Sequence, residues 1–598
     1  MPQIAAAAAL LIAVVAAVVL VLGPGGEKSV REQYGGHGGK PTVQTGATGR
    51  VALDGRWTVA NDPQATGTGK DFQSGTFEGK AVKLPYVPNA RSVSVKSMEG
   101  SVAWYKTTLT VPEDGRYAIR FESVNHKAQV FLDGEKVGEH TGVYLPFEVK
   151  RELKKDTKHT LVVRADWRDP DAMKATGWHR AWFNWGGINR EVTIRPVAGK
   201  EVHGVRVRTQ LQDGAAKVTV RASNATSGTL GKTKLTFADG TATATIAKPK
   251  LWSPESPALQ TLTLKAGKRT SWRGKVGLRE ISRDGATLLL NGKPLKLRGA
   301  SLHEDARGRG DGLRPSDERA LVAELKDLGA NATRAQHPLS PALMEKLDAA
   351  GILVWLGVGP VDAPGAWTSR GPKLVAQSKD RVRASLEQLQ THPSLFAWNL
   401  ANEVAGQGHP AGQAPYIDAM ARELKQKDPG RLVALDIWGA HPPKYPGPMY
   451  QHIDAVGWTN YLGWYEQPYS TPQQLEQLIR TKLTAFQRVF PSKVLVVTEF
   501  GAEGSTKNPP NDPGGYAFQS RLLRTHIRTY ASSPGVTGML VWNLRDFGVA
   551  PSFGGGSIVE VVDKITLTPG LNEKGLRRWG GEPKPAAAAV KQEYAKLR

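Results

Sequence analysis

The sequence predicts a multidomain β plus α/β protein, two β-sandwiches followed by a (β/α)8 TIM barrel, on three observations. Short alternating β segments fill residues 51–197, and a Thr- and Val-rich β pattern without amphipathic helices fills residues 198–278. From residue 279 onward, short apolar runs alternate with segments of helical period, the texture of βα units around a parallel sheet. A length of 598 residues agrees, since about one domain per 150 residues allows roughly four units, each able to bury its own core.

Composition narrows the chemistry before any motif is considered. With 40% hydrophobic residues, 22% charged residues and a mean hydropathy of -0.36, the body is soluble and globular. The absence of Cys removes disulfides, thiol nucleophiles, thiolate zinc sites and lipidated cysteines together. Seventy-nine Lys and Arg against 55 Asp and Glu leave a net charge of +24. The basic residues are scattered, and the densest cluster, residues 150–158 (KRELKKDTK), is diluted by acids. With no recognition motif beside it, the charge reads as a solvated surface, and nucleic acid is not expected as a partner.

Taken in order, residues 4–22 form 19 consecutive apolar residues with no charge before Glu27, the length of a spanning helix. Residues 1–23 are therefore expected to be a membrane anchor or export signal, giving a membrane-anchored or exported protein of the cell envelope. Lys28 and Arg31 on the C-terminal flank favour a cytoplasmic body, whereas an export signal would place it outside, so the side of the membrane stays open. Residues 24–50, opening with a Gly-rich stretch, are expected to be a flexible tether.

In the first sandwich, residues 104–111 (WYKTTLTV), 117–124 (YAIRFESV) and 128–132 (AQVFL) read as strands, the last closed by the turn pair Asp133-Gly134. In the second, residues 217–220 (KVTV) and 261–265 (TLTLK) do the same. The barrel region holds eight candidate strands, at 297–302, 332–336, 352–358, 395–401, 432–438, 455–461, 494–500 and 539–544. Helical stretches lie at 317–328, 341–350, 379–390, 414–427, 472–490 and 515–531, with 586–596 closing the chain. Residues 439–451 (GAHPPKYPGPMYQ) are too Pro-rich for a helix, so that crossover is expected to be irregular.

Active-site groups of a TIM barrel project from the C-terminal ends of its strands, so the polar residues ending each apolar run are the candidates. Strand four ends in Asn402-Glu403, strand seven in Glu499, strand six in Asn460-Tyr461; strand two carries Arg334 and strand eight Trp542. Two carboxylates thus converge on one aromatic mouth. A glycosidic bond breaks through an oxocarbenium-like transition state that needs a proton donor on the leaving oxygen and an anion at the anomeric carbon, and a carboxyl pair supplies both. Tryptophan, 16 in all, suits stacking on a sugar face.

At these residues the chain resembles glycoside hydrolase family 2, the β-galactosidase, β-mannosidase and β-glucuronidase group. The resemblance implies a jelly-roll sugar-binding domain (51–197), an immunoglobulin-like domain (198–278) and a catalytic barrel (279–598). Residues 396–403 (FAWNLANE) resemble the acid/base segment, which implies Glu403 as general acid/base and Asn402 as a binder of the sugar 2-hydroxyl. Residues 496–501 (VVTEFG) resemble the nucleophile segment, implying Glu499, and residues 540–547 (LVWNLRDF) the strand-eight signature, with Trp542 as the floor of the sugar subsite. Residues 104–105, 142–147 (GVYLPF) and 182–190 (WFNWGGINR) resemble hallmarks of the N-terminal domain.

Within the family, residues 303–310 (HEDARGRG) and 460–465 (NYLGWY) look most like β-glucuronidases, with Tyr461 bonding the nucleophile and Tyr465 nearby. Asn572-Glu573-Lys574-Gly575 resembles the Asn-x-Lys grip on a substrate carboxylate, but galactosidases carry a similar stretch. Phe500 and Leu462 depart from the tyrosines usual at their positions, and residues 552–569 are inserted before the grip. His303-Glu304 begins like a zincin helix, but Arg307 stands where the second His would be, so zinc catalysis is rejected and no cofactor is implied. His303 and His337 read as cleft-lining hydrogen bonders, and Asp305 as either a substrate contact or a loop cap. The expectation is a retaining exo-β-glycosidase of β-glucuronidase type, with β-galactosidase or β-mannosidase as the alternative within the family. A non-catalytic carbohydrate-binding surface protein is the alternative outside it. Homo-oligomerisation stays open.

Overall fold

The computed structural model describes residues 28–170, 182–197, 199–359, 372–405, 413–439, 442–444 and 446–597. The apolar run at 4–22 lies outside them. Among the described residues, no helix is long and apolar enough to cross a membrane.

The first domain packs a four-stranded sheet (Phe147–Leu153, Gly115–Phe121, Val192–Pro196, Val51–Ala52) on a six-stranded one (Lys80–Val82, Trp57–Asn61, Val102–Leu109, His159–Asp166, Lys127–Leu132, Glu135–Thr141). Inward side chains from both sheets, Ile119, Phe121 and Ile194 against Trp57, Tyr105 and Val163, form one buried cluster. Each such side chain contributes about 1.5–3 kcal/mol by leaving water. Asp133 and Gly134, at φ 51° and 86°, join two strands as a hairpin turn whose twist matches theirs.

The second domain sets His203–Gln212, Ala215–Ser223 and Thr241–Ala247 against a five-stranded sheet. The outer strand of that sheet, Gly46–Ala47, comes from the segment expected to be a tether and pairs with Arg269–Val276. The tether reading is corrected for residues 28–50. Ser29 and Glu32 form a capping box, Tyr34 is buried in the first core, and His37 Nε2 lies 3.0 Å from Thr107 Oγ1. Gly36 and Gly38 serve here as turn residues of positive φ, and buried Tyr34 and His37 supply the anchoring that a flexible linker lacks.

In the barrel, β1 (Leu297–Ser301), β2 (Ala332–Ala335), β3 (Leu353–Gly357), β4 (Leu395–Asn399), β5 (Leu432–Trp438), β6 (Ala455–Thr459), β7 (Val494–Glu499) and β8 (Val536–Val541) are all parallel. They close because β8 pairs with β1 and β4 with β5. The outer helices are α1 (Pro315–Asp327), α2 (Pro341–Ala350), α3 (Pro372–Leu389), α4 (Gln413–Lys427), α5 (Pro472–Val489) and α6 (Tyr516–Ala531), followed by α7 (Pro585–Ala595). Pro at the first helical turn starts α1, α2, α5 and α7, where its missing N–H would have no partner. β8 begins at Val536, three residues before the expected start, because Gly538 lets β1 approach within a Cβ's width.

A small meander of Ile281–Asp284, Thr287–Leu290 and Lys293–Pro294 covers one end of the barrel. Ile281, Leu288 and Leu290 join Trp252, Trp355, Phe396 and the first residues of the strands in one apolar cluster. With the N-terminal end filled, polar chemistry is confined to the other mouth. There the first sandwich docks: Arg190 Nη2 donates to Glu304 Oε2 at 2.8 Å, and Tyr144 stacks on His337 at 4.3 Å.

Candidate active site

The strand ends bring the expected residues together. Arg334, on β2 and fully buried, donates through Nη1 to Glu499 Oε1 at 2.6 Å and through Nε to Asp436 Oδ2 at 3.0 Å; its Nη2 also bonds Asn402 Oδ1. Gln336, two residues on and so facing the same side, donates to Glu499 Oε1 at 2.7 Å and to Asn402 Oδ1 at 3.3 Å. Tyr461, just past β6, donates its hydroxyl to Glu499 Oε2 at 2.7 Å. Both oxygens of Glu499 therefore accept from fixed donors, which hold the carboxylate aimed.

Electrostatics places Glu403 at the same centre. Burial alone would lower the Arg334 guanidinium's pKa, but Asp436, Glu499 and, more weakly, Glu403 outweigh it and hold the group charged. Burial, then Glu499 and Glu403, keeps the Tyr461 hydroxyl well above its usual range, so it donates and does not ionise. Glu403 sits just beyond β4 at φ 51°, a left-handed conformation that turns the chain out of the barrel wall before Val404–Ala405 rejoins β5. Such a conformation costs a side-chain-bearing residue about 1–3 kcal/mol and is kept where surrounding structure dictates it. Unlike Glu499, Glu403 is only half-buried.

Trp542 and His303 wall the site: the Arg334 guanidinium lies 5.8 Å from the Trp542 ring centre, and His303 meets Trp542 edge-on at 5.1 Å. Asn402 Nδ2 is buried without a protein acceptor, so it has a donor to offer a ligand hydroxyl. Lys574 is buried 5.1–5.7 Å from the ring centres of Tyr461, Trp464 and Tyr465, 3.0 Å from the Tyr465 hydroxyl and 3.2 Å from Glu503 Oε1. Burial lowers its pKa less than Tyr465 and Glu503 raise it, so the ammonium persists. The insertion at 552–569 leaves this arrangement in place and folds over the mouth, where Phe553 meets Trp182 of the first sandwich at 5.6 Å.

Three expected site residues are placed differently. Asp305 accepts from Gly548 N at 2.7 Å and Trp579 Nε1 at 3.0 Å, so its oxygens brace the loop after β8. Asn460 donates to the Tyr530 hydroxyl at 3.1 Å, behind Glu499, and its backbone N–H bonds Glu499 O. Asn572 Oδ1 accepts from Lys574 N at 3.1 Å, so it shapes the turn that carries the lysine. Sequence reasoning overlooked Gln336, Asp436, Asn399 and Glu503. Asp436 had a visible signal, a lone carboxylate inside the apolar run of β5, which burial obliges to find partners: Arg334 and Asn399 Nδ2, the latter at 2.7 Å. Gly457 makes room for it, since a Cβ there would lie 1.9 Å from Asp436 Oδ1.

Burial pushes the Asp305 carboxyl up to about 6, against the pull of its hydrogen bonds. The folded state then holds the proton more tightly than the unfolded chain, so this stabilisation is present below about pH 4 and is lost as pH rises through about 6. Compared with Asp305→Asn, wild-type stability is expected to fall by up to about 3 kcal/mol between pH 4 and 7. Denaturation of both proteins across that range would show it, and parallel curves would contradict it.

A family model described as "Glycosyl hydrolases family 2, TIM barrel domain" matches residues 281–597, and one described as "Glycosyl hydrolases family 2" matches residues 188–279. The chain belongs to glycoside hydrolase family 2. A β-glucuronidase of Paenibacillus borealis is 25% identical over 604 aligned residues, spanning 91% of this chain and 96% of the relative. One from Bacteroides fragilis is 27% identical over 83% of this chain and 76% of its own length. A solved structure of Ruminococcus gnavus β-glucuronidase matches with a TM-score of 0.79 at 20% identity, covering 92% of this chain and 98% of that one. This family 2 protein is a glycoside hydrolase, and its double-sandwich-plus-barrel architecture is that of the solved relative.

Proposed function

We propose that the enzyme is a retaining exo-β-glycosidase acting on β-glucuronides, with Glu499 as nucleophile and Glu403 as general acid/base. The observation that carries the assignment of roles is the difference between the two carboxylates. Glu499 is held by Arg334, Gln336 and Tyr461, whereas Glu403 is half-exposed on a turn where it can exchange protons with water. In the first step a Glu499 oxygen bonds the anomeric carbon while Glu403 gives its proton to the departing oxygen. In the second, water attacks the same carbon, Glu403 takes its proton and the Glu499 ester bond breaks. As the sugar forms its bond, negative charge leaves Glu499 and Arg334 remains neutralised by Asp436.

The glucuronide reading rests on Lys574. Its ammonium is fixed against Tyr461, the tyrosine that bonds the nucleophile, and is suited to a carboxylate on the bound sugar. The family relatives named above carry the same activity in their names. The Lys574–Glu503 pair favours a second reading, a neutral sugar such as a galactoside, because the ammonium is already balanced. Hydrolysis of nitrophenyl β-glucuronide, β-galactoside, β-mannoside and β-glucoside, compared by kcat/KM, tests it. A preference for the glucuronide is expected, and a preference for any neutral glycoside would replace the first reading with the second.

A further inference from the structure

We propose that Trp438 is the platform on which the leaving group rests, and that the enzyme selects aglycones with a flat apolar face, an aryl ring or the apolar side of a second sugar. The inference rests on the assignment of Glu403 as proton donor. That donor must stand beside the glycosidic oxygen, so the group beyond that oxygen lies on the Glu403 side of the site. Two residues after Glu403, Ala405 pairs with Trp438 across the short parallel contact of Val404–Ala405 with β5.

Trp438 is the one exposed tryptophan among the described residues, at 43%. An indole left partly in water forgoes burial of its apolar face, an arrangement better suited to a ligand surface than to a core. It is also held still. Trp438 pairs with Thr459 of β6, Gly439 N donates to Thr459 O at 2.9 Å, and Trp458 Nε1 donates to Gly439 O at 2.9 Å. Its ring lies 6.2 Å from that of Tyr461, which bonds the nucleophile, so the exposed indole face borders the reacting centre. A ring pinned at backbone and neighbour loses little freedom when a flat group settles on it.

The test compares wild type, Trp438→Ala and Trp438→Phe on three substrates sharing the glycone that the panel selects: a 4-methylumbelliferyl glycoside, a β-linked disaccharide and a methyl glycoside. Taking the variant-to-wild-type ratio of kcat/KM for each cancels the intrinsic reactivity of the leaving groups. For Trp438→Ala, the loss on the umbelliferyl or disaccharide substrate is expected to exceed the loss on the methyl glycoside by about tenfold, and Trp438→Phe should recover most of it. Which flat substrate suffers identifies the aryl or sugar source. Equal losses on all three, or none on any, would overturn the proposal. Selection of a neutral glycone would remove the glucuronide reading and leave this one standing, whereas a wild type inactive on every glycone would overturn both.

Discussion

Replacing Glu499 by Gln is expected to lower turnover of aryl glycosides by about 10⁴-fold or more while leaving the protein folded. The amide keeps an oxygen for Tyr461 or Arg334 to bond but cannot form the ester with the anomeric carbon. A shorter side chain sharpens the result. In Glu499→Gly, added azide can enter the vacated space and attack the anomeric carbon from the nucleophile's face, giving the α-glycosyl azide. In Glu403→Ala, the glycosyl-enzyme still forms from substrates with good leaving groups, and azide then displaces Glu499 to give the β-glycosyl azide. Opposite product configurations from the two variants would establish both roles. Appreciable turnover by Glu499→Gln, or one configuration from both variants, would refute the assignment.

The second large effect concerns Lys574. With its ammonium removed, kcat/KM for an aryl glucuronide is expected to fall by about 10²–10³-fold, as for truncation of one partner in a desolvated charge pair. The aryl glucoside should change much less, so the preference between them collapses. Lys574→Met alone confounds this, because Glu503 is left buried without its cation, a loss of about 3–5 kcal/mol. The double variant Lys574→Met/Glu503→Gln removes that penalty, so its thermal stability should return toward wild type while the glucuronide preference stays lost. If the preference instead survives in the double variant, the lysine serves only the fold and the sugar carboxylate is read elsewhere.

Much of this was legible in the chain. The alternation of apolar runs and helical stretches located all eight barrel strands, because each is buried on both sides and reads as a short continuous run. The polar residues ending those runs named Arg334, Asn402, Glu403, Tyr461 and Glu499, since the C-terminal mouth is where such a fold exposes polar groups. Asn460 adjoins Tyr461, and Asp305 follows the end of β1 by four residues, yet both face other partners, Gly548 and Trp579 for Asp305 and Tyr530 for Asn460. One to four residues beyond a strand end, the chain has left the period that fixes side-chain direction, and neighbouring loops decide it.

Local pattern and residue chemistry by themselves determined the sandwich-and-barrel fold class, the glycoside hydrolase reading and the two strand-end carboxylates put forward for it. Only tertiary structure decided that residues 28–50 join the two sandwiches, that Asp436 shares Arg334 with Glu499, that Glu503 balances Lys574, and that Trp438 pairs with Ala405, two residues after Glu403. The reason is one of range. Periodicity reports what a residue does toward its own strand or helix, whereas these contacts join residues 33 (Ala405 to Trp438) to 227 (Gly46 to Arg273) positions apart in the chain.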